Sequence, residues 1–129
     1  MTGDKRQVTR KFKNEVGYKR LVAWQVADDL ASKVYRVTDK FPKDESFGLT
    51  SQLRRAALSV PLNIVEGHSR NSKNEFRQFL RIALGSLAEV DYLLYFSLKR
   101  EYISKAIYDD LTSLRITCGK ILWKLMKSQ

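Results

Sequence analysis

Residues Phe47 to Leu87, FGLTSQLRRAALSVPLNIVEGHSRNSKNEFRQFLRIALGSL, decide the fold. Leu49, Leu53, Ala56, Ala57, Val60 and Ile64 recur at steps of three and four, which places them on one face of a helix. A second period opens at Phe76 and continues through Leu80, Ala83 and Leu87. Between the two, Ser72 is followed three residues later by Glu75, a capping box that fixes the start of the later helix. Pro61 falls inside the earlier helix, where it removes the bond to the Ala57 carbonyl and crowds that turn. The spacing therefore predicts a bend there, or two shorter helices broken near Val60. Gly67 loosens the backbone near the end, and His68 to Asn71 read as the connection.

Working outward, the later helix extends its stripe through Val90, Leu94 and Leu98, with Phe79, Ile82, Leu93, Tyr95 and Phe96 adding apolar surface around the sides. A helix apolar over so much of its circumference is central, or shared with another subunit. Before Phe47, Trp24, Ala27, Ala31, Val34, Tyr35, Thr38 and Phe41 define another helix, ended by Pro42, with a short polar connection following. After Arg100, Ser104 caps a last helix whose stripe is Ile107, Leu111, Leu114, Cys118, Ile121, Leu122 and Leu125. Four helices joined by short connections, with no strand signal, imply an all-α, antiparallel up-down-up-down bundle over residues 21–129.

The chain has 129 residues and a formal net charge of +10. That length makes one domain with a real core. Half of the charge falls in residues 1–20, where Lys5, Arg6, Arg10, Lys11, Lys13, Lys19 and Arg20 face only Asp4 and Glu15. This segment reads as a basic arm, either a nucleic-acid contact or a solvated extension. No apolar run approaches the roughly 20 residues that span a bilayer, and the first 20 residues have no signal-peptide character. The expected location is the cytoplasm, with no membrane partner.

Enzyme chemistry finds little support. A di-iron bundle needs two Glu-x-x-His pairs, and His68 is the only histidine. There is no phosphate-cradling glycine loop and no zinc-ligand cluster, so no metal or cofactor is expected. Cys118, the only cysteine, falls in the apolar rhythm of the last helix and reads as a small buried hydrophobe. Ser51, Arg55, Ser59, Asn63, Glu66 and Arg70 form a polar stripe along the second helix. Its members Arg55, Asn63 and Glu66, with Glu75, Arg81 and Glu89 of the third helix, are candidates for a structural polar network. Arg55 and Arg81 would be bonded to Glu66 or Glu89, within or between subunits. Candidate phosphate contacts are Arg54 and Arg70, Lys73 and Arg77, and the arm residues Lys5, Arg6, Arg10, Lys11 and Lys13.

The run LVAWQVADDLASKVY, then FP with FGLTSQLRRAALSVPLNIVEG, then R-x-S-x-x-EF-x-x-FL-x-IA-x-GSLAE, resembles the four-helix-bundle family named for proteins encoded in intervening sequences of bacterial 23S rRNA genes. The likeness covers about Leu21 to Leu125, is weakest in the last helix and omits the arm. It implies assembly into a ring, typically a homopentamer. A more distant similarity is to the accessory protein of diversity-generating retroelements, a basic pentameric bundle that works with a reverse transcriptase and nucleic acid. The expected function is therefore a non-enzymatic accessory protein that binds RNA or DNA phosphates through the basic surface of a ring. The alternative is an oligomeric adaptor that docks a protein partner, for which the Tyr92, Tyr95, Phe96 cluster would supply contact area.

Overall fold

The computed structural model describes residues 17–129, and these contain four long helices and no strand. They are α1 (Val22–Thr38), α2 (Leu49–His68), α3 (Lys73–Lys99) and α4 (Lys105–Lys127), with short 3-10 turns at Gly17–Arg20 and Lys43–Glu45. α1 packs on α2 and α4, and α3 likewise packs on α2 and α4. One core results, in which Leu30 and Val34 of α1, Leu53 and Ile64 of α2, Leu80 and Leu94 of α3, and Cys118 and Leu122 of α4 are nearly or fully removed from solvent.

Two helix starts follow the sequence closely. Ser72 Oγ accepts the Glu75 amide at 3.2 Å, and Ser104 Oγ accepts the Ile107 amide at 3.1 Å. The Glu75 carboxylate does not complete a reciprocal box; it lies 3.7 Å from the Arg70 guanidinium. α2 runs through Pro61 as one helix, so the break near Val60 does not occur. Pro61 is buried together with Ala56, Ala57 and Val60, and packing holds the turn that lacks its hydrogen bond.

Two helix ends and one connection differ from expectation. α1 stops at Thr38, before Phe41, because the chain folds back with the Phe41 amide on the Thr38 carbonyl at 3.0 Å. Phe41 is still buried, against the Tyr102 ring at 5.3 Å between centroids. The polar connection after it is partly built into the fold: Glu45 accepts from the Leu49 amide at 3.0 Å and from the Tyr102 hydroxyl at 2.9 Å. α2 continues to His68, so Gly67 is a buried helical position and not a loosened end. A Cβ at Gly67 would stand 2.7 Å from Phe79 Cβ and 2.8 Å from Phe76 Cδ1, so glycine is what lets α2 and α3 approach there.

α3 ends in a Schellman turn. The Tyr102 amide reaches the Ser97 carbonyl and the Glu101 amide the Leu98 carbonyl, both at 2.9 Å, with Glu101 at φ 61°.

Contacts between helix ends position the surface. At one end, Leu21 and Val22 share a shallow groove with Lys124 and Leu125, and Arg77 donates to the Gln129 carbonyl at 2.6 Å. His68 there meets the Phe76 ring edge-on at 6.1 Å. At the other end, Arg54 meets Asp39, and Tyr102 meets Phe41 and Glu45.

Candidate nucleic-acid interface

The hydrogen-bonding side chains of α2 fall into three separate groups. Nearest the start of α2, Arg54 turns back onto the end of α1. Its Nε donates to Thr38 Oγ1 at 2.7 Å, and its Nη2 donates to the Tyr35 carbonyl at 3.1 Å and to Asp39 at 2.8 Å. The guanidinium also lies 4.6 Å from the Tyr35 ring centroid. A planar fork with these partners is a helix C-cap, and it leaves Arg54 little capacity for a phosphate.

Midway along α2, Asn63 Nδ2 donates to Ser59 Oγ at 2.9 Å, and the Ser59 hydroxyl is 2.8 Å from that of Ser86 on α3. Near its end, Arg70 pairs with Glu66 at 2.9 Å, lies near Glu75 and covers the Phe79 ring at 5.2 Å. Arg70 is thus largely occupied by acidic neighbours, like Arg54, although both were candidates for phosphate contact. These ion pairs are about half exposed and contribute little to stability.

The network expected among Arg55, Asn63, Glu66, Glu75, Arg81 and Glu89 is therefore not one network. Arg55 and Glu89 line an open groove of about 630 Å³ between α2 and α3, together with Gln52, Ser59 and Tyr92. Neither Arg55, Arg81 nor Glu89 forms an ion pair with another described residue. The partner found for Glu66 is Arg70, four residues on, because one helical turn sets that distance more readily than a crossing between helices.

Of the other candidates, Lys73 is exposed and has no acidic partner among the described residues. Arg77 is half-buried, bonded to Asn74 Oδ1 at 3.1 Å and to the Gln129 carbonyl. Lys5, Arg6, Arg10, Lys11 and Lys13 lie outside the described residues. Among the described residues no cluster of histidine, cysteine, aspartate or glutamate is placed to hold a metal ion, and no helix is long and apolar enough to cross a membrane. Cys118 is fully buried, and burial pushes its thiol up to about 12, so it stays a neutral packing group at physiological pH.

Sequence reasoning passed over two exposed aromatics. Phe47, in the turn before α2, is 100% exposed, and Trp123 on α4 is 51% exposed. Trp123 was legible as lying off the α4 apolar stripe, with lysines at positions 120, 124 and 127 around it.

No functionally curated protein matches the chain. A solved structure of a protein with unknown function, from the S23 ribosomal protein family of Bacteroides thetaiotaomicron, is similar with a TM-score of 0.73 and 23% identity over 81% of this chain and 98% of that one. At that identity the likeness speaks for the fold. The family model described as 23S rRNA-intervening sequence protein matches residues 19–124, from the turn before α1 almost to the end of α4, and the chain belongs to that family.

Proposed function

We propose that the protein is a non-enzymatic, cytoplasmic accessory protein that grips nucleic-acid phosphates from a ring of identical subunits. Each subunit is an antiparallel up-down-up-down bundle in this reading. The paired positions support it: Ser59 meets Ser86 while Gly67 approaches Phe79, and Arg115 meets Asp91 while Gly119 approaches Leu87, so numbering runs in opposite senses on neighbouring helices.

The observation that carries the function is an uncompensated surplus of cations on a chain of net charge +10. Arg54 is taken up by the end of α1 and Arg70 by carboxylates, yet Lys73, Arg55 and Arg81 are exposed without acidic partners among the described residues. Such cations release counterions from a phosphate backbone, giving sequence-independent, salt-sensitive binding. A ring multiplies each weak contact by the subunit number. For the ring itself, taken as a homopentamer, support comes from Leu62, Ile82, Tyr92 and Tyr95, exposed large side chains along α2 and α3 that a neighbouring subunit would cover.

The arm is tested by changing Lys5, Arg6, Arg10, Lys11 and Lys13 together to alanine. Binding to RNA or DNA should weaken, and the slope of log affinity against log salt should fall by about one for each phosphate that the arm no longer neutralises. Unchanged affinity would remove the arm from the interface. The exposed Tyr92 and Tyr95 also favour a second reading, an adaptor whose α3 face docks a protein. Failure of the wild-type ring to bind either polymer at low salt would select it.

A further inference from the structure

Resting on the nucleic-acid reading above, we propose that the phosphate-binding surface is one end of the bundle, and that its occupant is an unpaired strand with one base stacked on Trp123. The end in question gathers the start of α1, the end of α2, the start of α3 and the end of α4, through the groove shared by Val22 and Lys124, the Arg77–Gln129 bond and the His68–Phe76 contact. Lys19, Arg20, Lys73, Arg77, Lys124 and Lys127 surround it. The carboxylates described at this end, Glu66 and Glu75, are engaged by Arg70. At the opposite end Lys43, Arg100 and Lys105 are interleaved with Asp44, Glu45 and Asp109, and charge nearly cancels.

Helix stability does not explain this asymmetry. Lys124 and Lys127 suit the α4 C-terminus, where the macrodipole favours cations. Lys19, Arg20, Lys73 and Arg77 lie just before α1 or at the beginning of α3, where the same dipole disfavours them. A concentration of positive charge held against the local field is suited to an external polyanion.

Trp123 decides which polyanion. Its indole is half exposed, flanked by Lys120 and Lys124, and Lys127 Nζ stands 5.0 Å from its ring centroid. An accessible aromatic face set among cations is how proteins hold single strands, because a base can stack while the phosphates track the lysines. A base inside a duplex offers no free face to it. An anionic membrane would share the charge but needs a broader apolar surface. Leu62, Ile82, Tyr92 and Tyr95 lie along α2 and α3, and Phe47 stands at the opposite end before α2; on α4 itself only Ile107 and Ile116 join Trp123 among the exposed large apolar side chains, both about two turns or more further from this end.

The test uses the full chain, a fluorescein-labelled single-stranded oligouridine of about 20 nucleotides, a duplex of equal length, and phosphatidylserine vesicles. The single strand should bind more tightly than the duplex and quench indole emission. Trp123→Ala should weaken single-strand binding about tenfold at an unchanged melting temperature. Trp123→Phe should keep most of the affinity while losing the quench, a readout that survives if the alanine variant folds poorly. Equal affinity of Trp123→Ala, unquenched wild-type emission or preference for duplex would overturn the stacked single strand and leave the nucleic-acid reading standing. Binding to neither polymer would remove both, and binding to vesicles alone would replace the strand by a membrane surface.

Discussion

Two residues show how one side chain's surroundings change its meaning. In the sequence Arg54 reads as one of the cations available to a phosphate, yet it closes the end of α1 through Thr38, Tyr35 and Asp39. Arg54→Ala should cost about 1–3 kcal/mol of stability, since it frees the partly buried Thr38 hydroxyl and the Tyr35 carbonyl, and should leave the salt dependence of nucleic-acid binding unchanged. Denaturant melts and a salt titration on one preparation check both halves. Gly67 is the other case. Gly67→Ala should destabilise by about 1–3 kcal/mol in the same melts, because the methyl group meets Phe79 Cβ and the Phe76 ring edge at distances those rigid neighbours cannot relax. A wild-type melting curve for this variant would mean that α2 and α3 are not so close. The sequence marked Gly67 as unusual but not why: the helical period reports which face is buried, and says nothing of how near the next helix comes.

Elements were legible where local rules act alone. The four apolar stripes, apart from Tyr35 and Ile107, which are exposed, the Ser72 and Ser104 caps and the burial of Cys118 all follow from spacing and from short-range hydrogen bonds. The connections were not, because distant residues decide them. Glu45, in a stretch that reads as polar loop, joins the α2 start to Tyr102 on the far connection. Accepting from the Leu49 amide, then from Tyr102, with Arg100 nearby, holds its carboxyl below its ordinary value of 4.5. A carboxylate lowered in the folded state stabilises above its unfolded pKa, and that contribution disappears as pH falls through the folded value. Glu45→Gln should therefore melt below wild type at pH 7, and the gap should narrow once the pH drops well under 4.5. A gap independent of pH would mean that the carboxylate charge does not matter to this junction.

At the scale of the whole molecule, the candidate site was only half visible in advance. Net charge and the basic arm are compositional and could be read directly. Which cations remain available could not be read, because that depends on whether a carboxylate lies one turn away, as Glu66 does for Arg70, or across a groove, as Glu89 does from Arg55. Nor could the gathering of four helix termini into one basic end, which arises only when the helices pack. The same packing leaves Tyr92, Tyr95 and Ile82 outward, surface that a second copy would bury with a gain of roughly 25 cal/mol for each Å² of apolar area. In the proposed function, ring assembly and polyanion binding would divide one surface between them: apolar sides turned to neighbours, a basic end turned to the ligand. Light scattering after size-exclusion chromatography at low and high salt, with and without short single-stranded RNA and duplex DNA, tests that division most directly. The expected result is a ring that grows in mass with nucleic acid at low salt and sheds it at high salt. A monomer, or a ring whose mass is the same with and without nucleic acid at low salt, would contradict it.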